Sequence, residues 1–274
     1  VVPLSITLTA DDIFDLTVLE VIDVNGNVVP GELITIDITN GTFLQGATWD
    51  GLVQAYSTST PVNQVSWEPW TAGTQWMNIS WVAPDGTISA VNIEITVETG
   101  APNYFVITGS NTIEAGNNTM LDVDVYDQRG NLKDRSTSGV LTWGASDGVI
   151  DNSSGEYTGD NVGVWNIWVD SDLGIHAEHV MAVTYGDIAD LEVTAVGPGN
   201  TIIVTSSPTL ESITMTADES VNLSVVRIDV QGNREPVTLS ITSWTWLNGN
   251  LVAGSPAIWD ASNQGSSWVK ATLE

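Results

Sequence analysis

Leu121-Asp-Val-Asp-Val-Tyr-Asp-Gln-Arg-Gly-Asn131 holds the two signals on which the fold depends. Leu121, Val123 and Val125 alternate with Asp122 and Asp124, a period of two that puts apolar side chains on one face of a strand and carboxylates on the other. The run then stops in Asp127-Gln-Arg-Gly-Asn131, where the Asp side chain can cap backbone amides and the Gly can take positive φ. The same D-x-x-G-N pattern occurs as Asp23-Val-Asn-Gly-Asn27 and Asp229-Val-Gln-Gly-Asn233, at spacings of 104 and 102 residues. Downstream of each, a Gly opens another alternating segment: Gly73 before Met77, Ile79 and Trp81; Gly163 before Trp165, Ile167 and Val169; Gly265 before Val269 and Ala271.

A longer period overlies the first. Ser5-Ile-Thr-Leu-Thr-Ala-Asp-Asp12 returns as Ser212-Ile-Thr-Met-Thr-Ala-Asp-Glu219, Pro30 matches Pro236, Leu33 matches Leu239, and Trp49-Asp50 matches Trp259-Asp260. The offset drifts from 207 to 206 to 210, as small insertions and a deletion produce. An A-B-A array follows: residues 1–100, 101–186 and 187–274, divided near Gly100 and Gly186. Relative to the middle copy, the first copy lacks a first strand and the third copy ends before a last strand, and Leu273-Glu274 has the character of a cloning scar.

Val91, Ile93, Ile95 and Val97 alternate like Leu121 to Val125, and Gly, Asn, Asp and Pro punctuate the chain about every ten residues. No stretch sustains a 3.6-residue period. The expected fold is all-β: tandem antiparallel immunoglobulin-like β-sandwiches of about 90–100 residues each. With a strand ending in D-x-x-G-N, then Trp143-Gly-Ala-Ser-Asp-Gly-Val-Ile150, Tyr157 and Gly163-Val-Trp-Asn-Ile167, the middle copy resembles bacterial immunoglobulin-like repeats of the invasin and intimin type, and the outer copies do so partially. That resemblance implies an extracellular stalk or adhesin spacer on a prokaryotic cell surface. Arg227 departs from it, standing where register places the core-facing Val125 unless a bulge or the one-residue deletion rescues it.

The chain has 34 acids against 6 Lys plus Arg, a formal charge of −28, though charged residues make up only 15% of it. Residues 1–100 contain 12 acids and no base, 101–186 contain 12 against 3, and 187–274 contain 10 against 3, so every copy shares the acidity. Such a field repels phosphates, which excludes nucleic acid and anionic membrane surfaces as partners. It suits a solvated outer coat in salty water, where ions screen self-repulsion. Without Cys, disulfides, thiolate metal sites and a Cys nucleophile are excluded. Val1-Val2-Pro3 carries neither a basic segment nor a signal core.

Candidate chemistry is sparse. Asp23-Val-Asn-Gly-Asn27 has the oxygen spacing of a calcium loop, but Arg129 and Gln231 occupy the middle ligand position in the other copies, so a capped turn is the better reading of all three. Acid clusters at Asp11, Asp12 and Asp15, at Asp122 and Asp124, and at Asp187 and Asp190 lack a linker calcium signature, so no metal residue and no cofactor is assigned. His176 and His179 lie near Glu178 without any catalytic motif, and no catalytic residue is assigned. Of the 12 Trp, parity places Trp81, Trp143, Trp165 and one of Trp244 and Trp246 inward. Trp76, Trp168 and Trp268 fall at outward positions, either to stack on sugar rings or to be returned to the core or covered by a neighbour. Sequons at Asn40, Asn78, Asn117, Asn152 and Asn222 permit glycosylation of an exported chain.

Three functions stay open. The first is a non-enzymatic extracellular spacer at a cell surface, a rod whose partners are other domains or copies of the same protein. The second is a glycan-binding module using Trp76, Trp168 and Trp268, and the third a filament or surface-layer subunit assembling by strand addition.

Overall fold

The computed structural model describes residues 5–16, 19–44, 65–205, 212–240, 243–262 and 265–272, and the backbone of 52–56. Among these residues the chain is all-β, with a short 3-10 turn at Arg135–Ser138 and no α-helix. It forms two compact units: residues 1–108, 123–141 and 170–177 in one, and 109–122, 142–169 and 178–274 in the other.

The first sandwich opens the first unit. Its strands are β1 (Ser5–Thr9), β2 (Phe14–Leu16), β3 (Leu33–Ile38), β4 (Thr42–Phe43), β5 (Leu52–Tyr56), β6 (Val65–Glu68), β7 (Gly73–Val82) and β8 (Ile88–Glu98). One sheet runs β1-β8-β7-β3-β5 and the other β2-β6-β4. Alternation in the sequence turns one face of each inward, and Ile36, Phe43, Val65, Trp67, Met77 and Ile95 share one buried core. At about 25 cal/mol per Å² of apolar surface, that burial is the main term against chain entropy. Trp81 packs against this core while its indole N–H donates to Glu32 at 2.9 Å.

Antiparallel pairing dominates, with two exceptions that alternation cannot encode. The chain crosses from one sheet to the other between β1 and β2, which leaves β1 parallel to β8 from Ser5↔Glu94 to Thr9↔Glu98. The same edge recurs farther on, where β10 (Thr112–Glu114) runs parallel to β17 (His176–Thr184). Between and around them lie β9 (Pro102–Gly109), β11 (Asn118–Asp127), β12 (Leu132–Lys133), β13 (Leu141–Ala145), β14 (Val149–Ile150), β15 (Glu156–Thr158) and β16 (Gly163–Ser171). These strands order as β10-β17-β16-β13 and as β12-β11-β15-β14 with β9 on β11. Leu121, Val123, Val125, Trp143, Tyr157, Ile167 and Val169 are buried, as their parity requires, and Trp165 is half-buried.

The last sandwich lies in the second unit: β18 (Ile188–Val196), β19 (Thr201–Thr205), β20 (Ser220–Asp229), β21 (Arg234–Val237), β22 (Trp244–Leu247), β23 (Asn250–Val252), β24 (Ala257–Asp260) and β25 (Trp268–Ala271). A sheet ordered β19-β18-β20-β24-β23, with β21 also on β20, faces the pair β22-β25. Trp244 is buried between them, Trp246 packs beside it, and both therefore face inward. Arg227 does lie on the inward side of β20, and β20 is not bulged there; the register shift is in its partner β18, between Ile188 and Asp190. Its charge is met by an ion pair with Glu235 and by the ring of Tyr185, 5.8 Å from the guanidinium carbon.

Trp49-Asp50 lies outside the described residues, and the structural counterpart of Trp259-Asp260 is Trp67-Glu68. In each pair a positive-φ glycine, Gly41 (φ 100°) or Gly249 (φ 143°), sits against the indole and the following carbonyl. A methyl group at Gly41 would collide with the Glu68 carbonyl and Trp67 Nε1, whereas one at Gly26 (φ 84°) would meet open space. Gly41→Ala should therefore cost about 2–4 kcal/mol, from left-handed strain plus overpacking, and Gly26→Ala about 1 kcal/mol from strain alone. Urea unfolding followed by Trp fluorescence checks the difference; equal costs would mean that the indole contact does not constrain Gly41.

Candidate functional site

The three D-x-x-G-N turns share one internal geometry. In the turn after β11, Asp127 Oδ1 accepts from the backbone N–H of Arg129 at 2.9 Å and of Asn131 at 2.8 Å. Oδ2 accepts from Asn131 Nδ2 at 2.8 Å. Gly130 has φ 82°, which lets its N–H return to the Asp127 carbonyl at 3.1 Å. Asp229 repeats this with Gln231 N at 3.0 Å, Asn233 N at 2.8 Å and Asn233 Nδ2 at 2.9 Å, and Asp23 with Asn25 N at 2.8 Å and Asn27 N at 2.9 Å. In these turns the carboxylate is engaged by donors of its own chain.

Two of the turns also hold polypeptide from 27 to 73 residues away, beyond the capping that the sequence predicts. Asp127 Oδ2 takes the N–H of Gly100, between β8 and β9, at 2.8 Å. Asn131 then reads a main chain: its Oδ1 accepts from Ala72 N at 2.9 Å and its Nδ2 donates to the Trp70 carbonyl at 2.9 Å, at the loop that opens into β7. In the second unit Asp229 Oδ2 takes Gly186 N at 3.1 Å, and Asn233 accepts from Val162 N at 3.1 Å and donates to the Asp160 carbonyl at 2.7 Å, just before β16. Both loops end at the strand-opening glycines, Gly73 and Gly163. Because the gripped groups are backbone N–H and C=O, the clasp does not depend on loop side chains, and it works equally on Trp70-Thr-Ala and Asp160-Asn-Val. Asn27, Asn131 and Asn233 fill the fifth position in every copy and close the turn on the Asp through Nδ2, so nothing local in the sequence marks the two that also clasp.

Cations gather at the clasps. Arg129 pairs with Glu68, and Lys133 Nζ donates to Thr99 Oγ1 at 2.8 Å and to the Gly100 carbonyl. Beside the second clasp Arg227 pairs with Glu235, and Arg234 with Glu192. Asp11 adds a bond from its Oδ2 to Ala101 N at 2.9 Å. Burial works against ionisation of Asp127, but bonds from Asn131, Gly100 and Arg129 outweigh it and hold the carboxyl below its ordinary range. At Asp229 burial is likewise outweighed, by Asn233, Gly186 and Gln231. The bonds from Asn27 lower the exposed Asp23 as well.

The outward Trp residues divide. Trp76 on β7 is 45% exposed and Trp268 on β25 is 51% exposed. Trp168 on β16 is half-buried, its ring lying so close to Gly144 that a methyl there would collide with the indole. The three belong to three different sheets. Of the acid clusters, Asp12 accepts from Thr9 N at 2.7 Å and Asp15 from Ser66 Oγ at 2.6 Å, and among the described residues no three His, Asp or Glu converge on a cation position. His176 Nδ1 lies 2.8 Å from Asp170, and His179 Nε2 lies 3.0 Å from the Ser110 carbonyl. Several sequon asparagines have structural roles: the Asn40 carbonyl accepts from Trp67 Nε1 at 2.8 Å, and Asn152 Oδ1 accepts from Trp143 N at 2.6 Å.

Two outcomes follow from the clasp. Asn131→Ala and Asn233→Ala each strand a backbone donor and acceptor in the clasped loop and should cost about 1–3 kcal/mol, read by thermal melts; no loss would deny Asn its clasping role. Because the folded Asp127 carboxyl lies below its ordinary value of 3.8, its contribution is full above about pH 4 and is lost as pH falls further, the unfolded chain binding the proton first. The stability gap between the wild type and Asp127→Asn should be widest near pH 7 and close below about pH 4. A pH-independent gap would show that the charge contributes nothing.

No family model matches the sequence, and no curated protein matches it. Similar solved structures include the Escherichia coli adhesin FdeC, at 15% identity with a TM-score of 0.38 over 94% of this chain and 83% of that one. A fragment of human CDH23, EC21-23, is similar at 12% identity, with a TM-score of 0.35 over 95% and 88%. A C-terminal intimin fragment, solved in complex with the intimin-binding domain of its translocated receptor, is similar at 16% identity, with a TM-score of 0.25 over 70% and 64%. The chain spans 66% of the matched protocadherin gamma B7 fragment and 40% of domains 4–9 of the surface layer protein SbsC.

Proposed function

We propose that this chain is a non-enzymatic extracellular segment, three immunoglobulin-like sandwiches at 1–100, 101–186 and 187–274, that spaces or displays other modules at a cell surface. The observation that carries this reading is the recurrence of one clasp, atom for atom, at Gly100 and at Gly186. A flexible string of beads has no use for a buried carboxylate and a main-chain-reading Asn at each linker; a spacer that must hold its direction does. The acidic coat supports solvent exposure along the whole length, and partners of this segment are other domains or copies of the same protein.

Small-angle scattering tests the reading. Three sandwiches of about 100 residues placed end to end should reach roughly 100 Å, against roughly 50 Å for a single compact globule of this length. The double variant Asn131→Ala/Asn233→Ala should keep its sandwiches and broaden the distance distribution. A maximum dimension near the globular value would overturn the spacer.

Exposure of Trp76 and Trp268 favours one second reading, in which either indole stacks on a sugar ring of a partner surface. Glycan-array binding lost in both Trp76→Ala and Trp268→Ala would support it, and an array without hits would remove it.

A further inference from the structure

Strand β19 ends its sheet. In the order β19-β18-β20-β24-β23 it pairs, among the described residues, with β18 alone, from Val196↔Thr201 to Glu192↔Thr205. β18 stands to β20 as β9 stands to β11, but β9 has no described strand on its far side, so β19 is an addition of this copy. Its sequence is Thr201-Ile-Ile-Val-Thr205, β-branched at every position, and no charge occurs from Val193 to Leu210. A free strand edge is a template for another strand, and charges or prolines commonly guard it. The edges β10, β12 and β21 carry Glu114, Lys133, and Arg234 with Glu235 and Pro236. β19 carries no such guard.

The ladder on β18 fixes what this edge presents. Gly197 N donates to the Asn200 carbonyl at 2.9 Å, and bonded pairs alternate along an antiparallel ladder, so Ala195↔Ile202 and Val193↔Val204 are the pairs that exchange hydrogen bonds. Thr201, Ile203 and Thr205 therefore aim N–H and C=O at the free edge. Laid antiparallel on its own copy about a two-fold axis at Ile203, the strand matches itself. Ile203 then meets Ile203 and Thr201 meets Thr205, each pair exchanging both N–H···O bonds, and Ile202 meets Val204 between them. On the outer face Ile203 is 57% exposed, and Val196, opposite Thr201 on β18, is 45% exposed, so the pairing also covers apolar surface. Two chains of charge −28 repel each other, and a neutral edge is where copies can approach.

We propose that β19 is a self-association edge whose partner is β19 of a second copy of this chain, antiparallel about Ile203, so that the two sheets join into one. With five residues a side against the roughly 20–30 of a standard interface, the association is weak and reversible. Salt strengthens it, because ions screen the repulsion between the acidic chains. This edge gives the contact between copies in the spacer reading its surface; should β19 stay unpaired, the spacer still stands or falls on the shape of a single chain.

Cysteine cross-linking of the full chain reads the register directly, because the protein has no Cys of its own. Opposed residues of a bonded pair stand about 5.5 Å apart at Cα, within reach of a disulfide, whereas Thr201 and its own symmetry mate lie roughly 13 Å apart along the strands. Under mild oxidation with diamide, Ile203→Cys should form a covalent dimer about tenfold faster than Thr201→Cys or Thr205→Cys alone, and mixing those two variants should restore the fast dimer. Sedimentation of the wild type should show a mass that rises with concentration toward that of a dimer, and more steeply in about 1 M salt. Ile203→Glu places like charges on the axis at an exposed position and should abolish the rise, with an unchanged thermal melt in dilute solution showing that the fold is intact. A wild type that stays monomeric at about 1 mM, or Thr201→Cys linking as fast as Ile203→Cys, would overturn the proposal.

Discussion

A carboxylate buried at the end of a strand governs how this chain holds together. Asp127 is fully buried and Asp229 is 4% exposed, in a protein whose other acids mostly face solvent. Burying a charge without compensation is costly, and each of these two is compensated by four N–H donors, three from its own turn and one from a distant glycine, Gly100 or Gly186. The turn can form with its own three donors, as Asp23 shows, but only the fourth donor and the Asn that reads a distant loop tie other parts of the chain to the turn. The strand, the turn, the glycine segment and the loop that opens into β7 or β16 are thereby fixed relative to one another by one side chain and its Asn neighbour.

The distribution of positive charge follows from the same place. Only six residues of the 274 are Lys or Arg, and four of them, Arg129, Lys133, Arg227 and Arg234, lie in the two clasping turns or within two residues of them. Each has an acid or a carbonyl as partner there. Partly exposed ion pairs contribute little individually, and here each adds a local attraction in a chain that is otherwise acidic.

Alternation made the fold class readable. Leu121 to Val125, Ile93 to Val97 and Ile167 to Val169 face inward as their parity requires, and the turns fall where Asp and Gly place them. Three things were not readable from alternation, the first two because their partners lie far away in sequence. The parallel edges β1–β8 and β10–β17 join segments about 70 to 90 residues apart. Asn131 looked like a turn residue because Trp70 and Ala72 lie about 60 residues upstream. Arg227 looked like a misplaced charge because neither Glu235 nor Tyr185 could be assigned to it from spacing alone. The equivalence of Trp67 with Trp259 was hidden differently, since a closer local match, Trp49-Asp50, drew the alignment while the identifying contact is a glycine backbone against an indole.

The parallel pairing of β1 with β8 also decides how the first sandwich bears tension. The chain enters at the start of β1 and leaves at the end of β8, and because the strands run the same way, pulling its two ends apart slides one strand along the other. The rungs from Ser5↔Glu94 to Thr9↔Glu98 are then loaded together in shear, instead of opening one at a time like the end of a hairpin. Asp11, bonded to Ala101 N just past that ladder, lies on the same line of force. Resistance to stretching in this sandwich is thus concentrated in a five-residue edge with a modest share of its buried core.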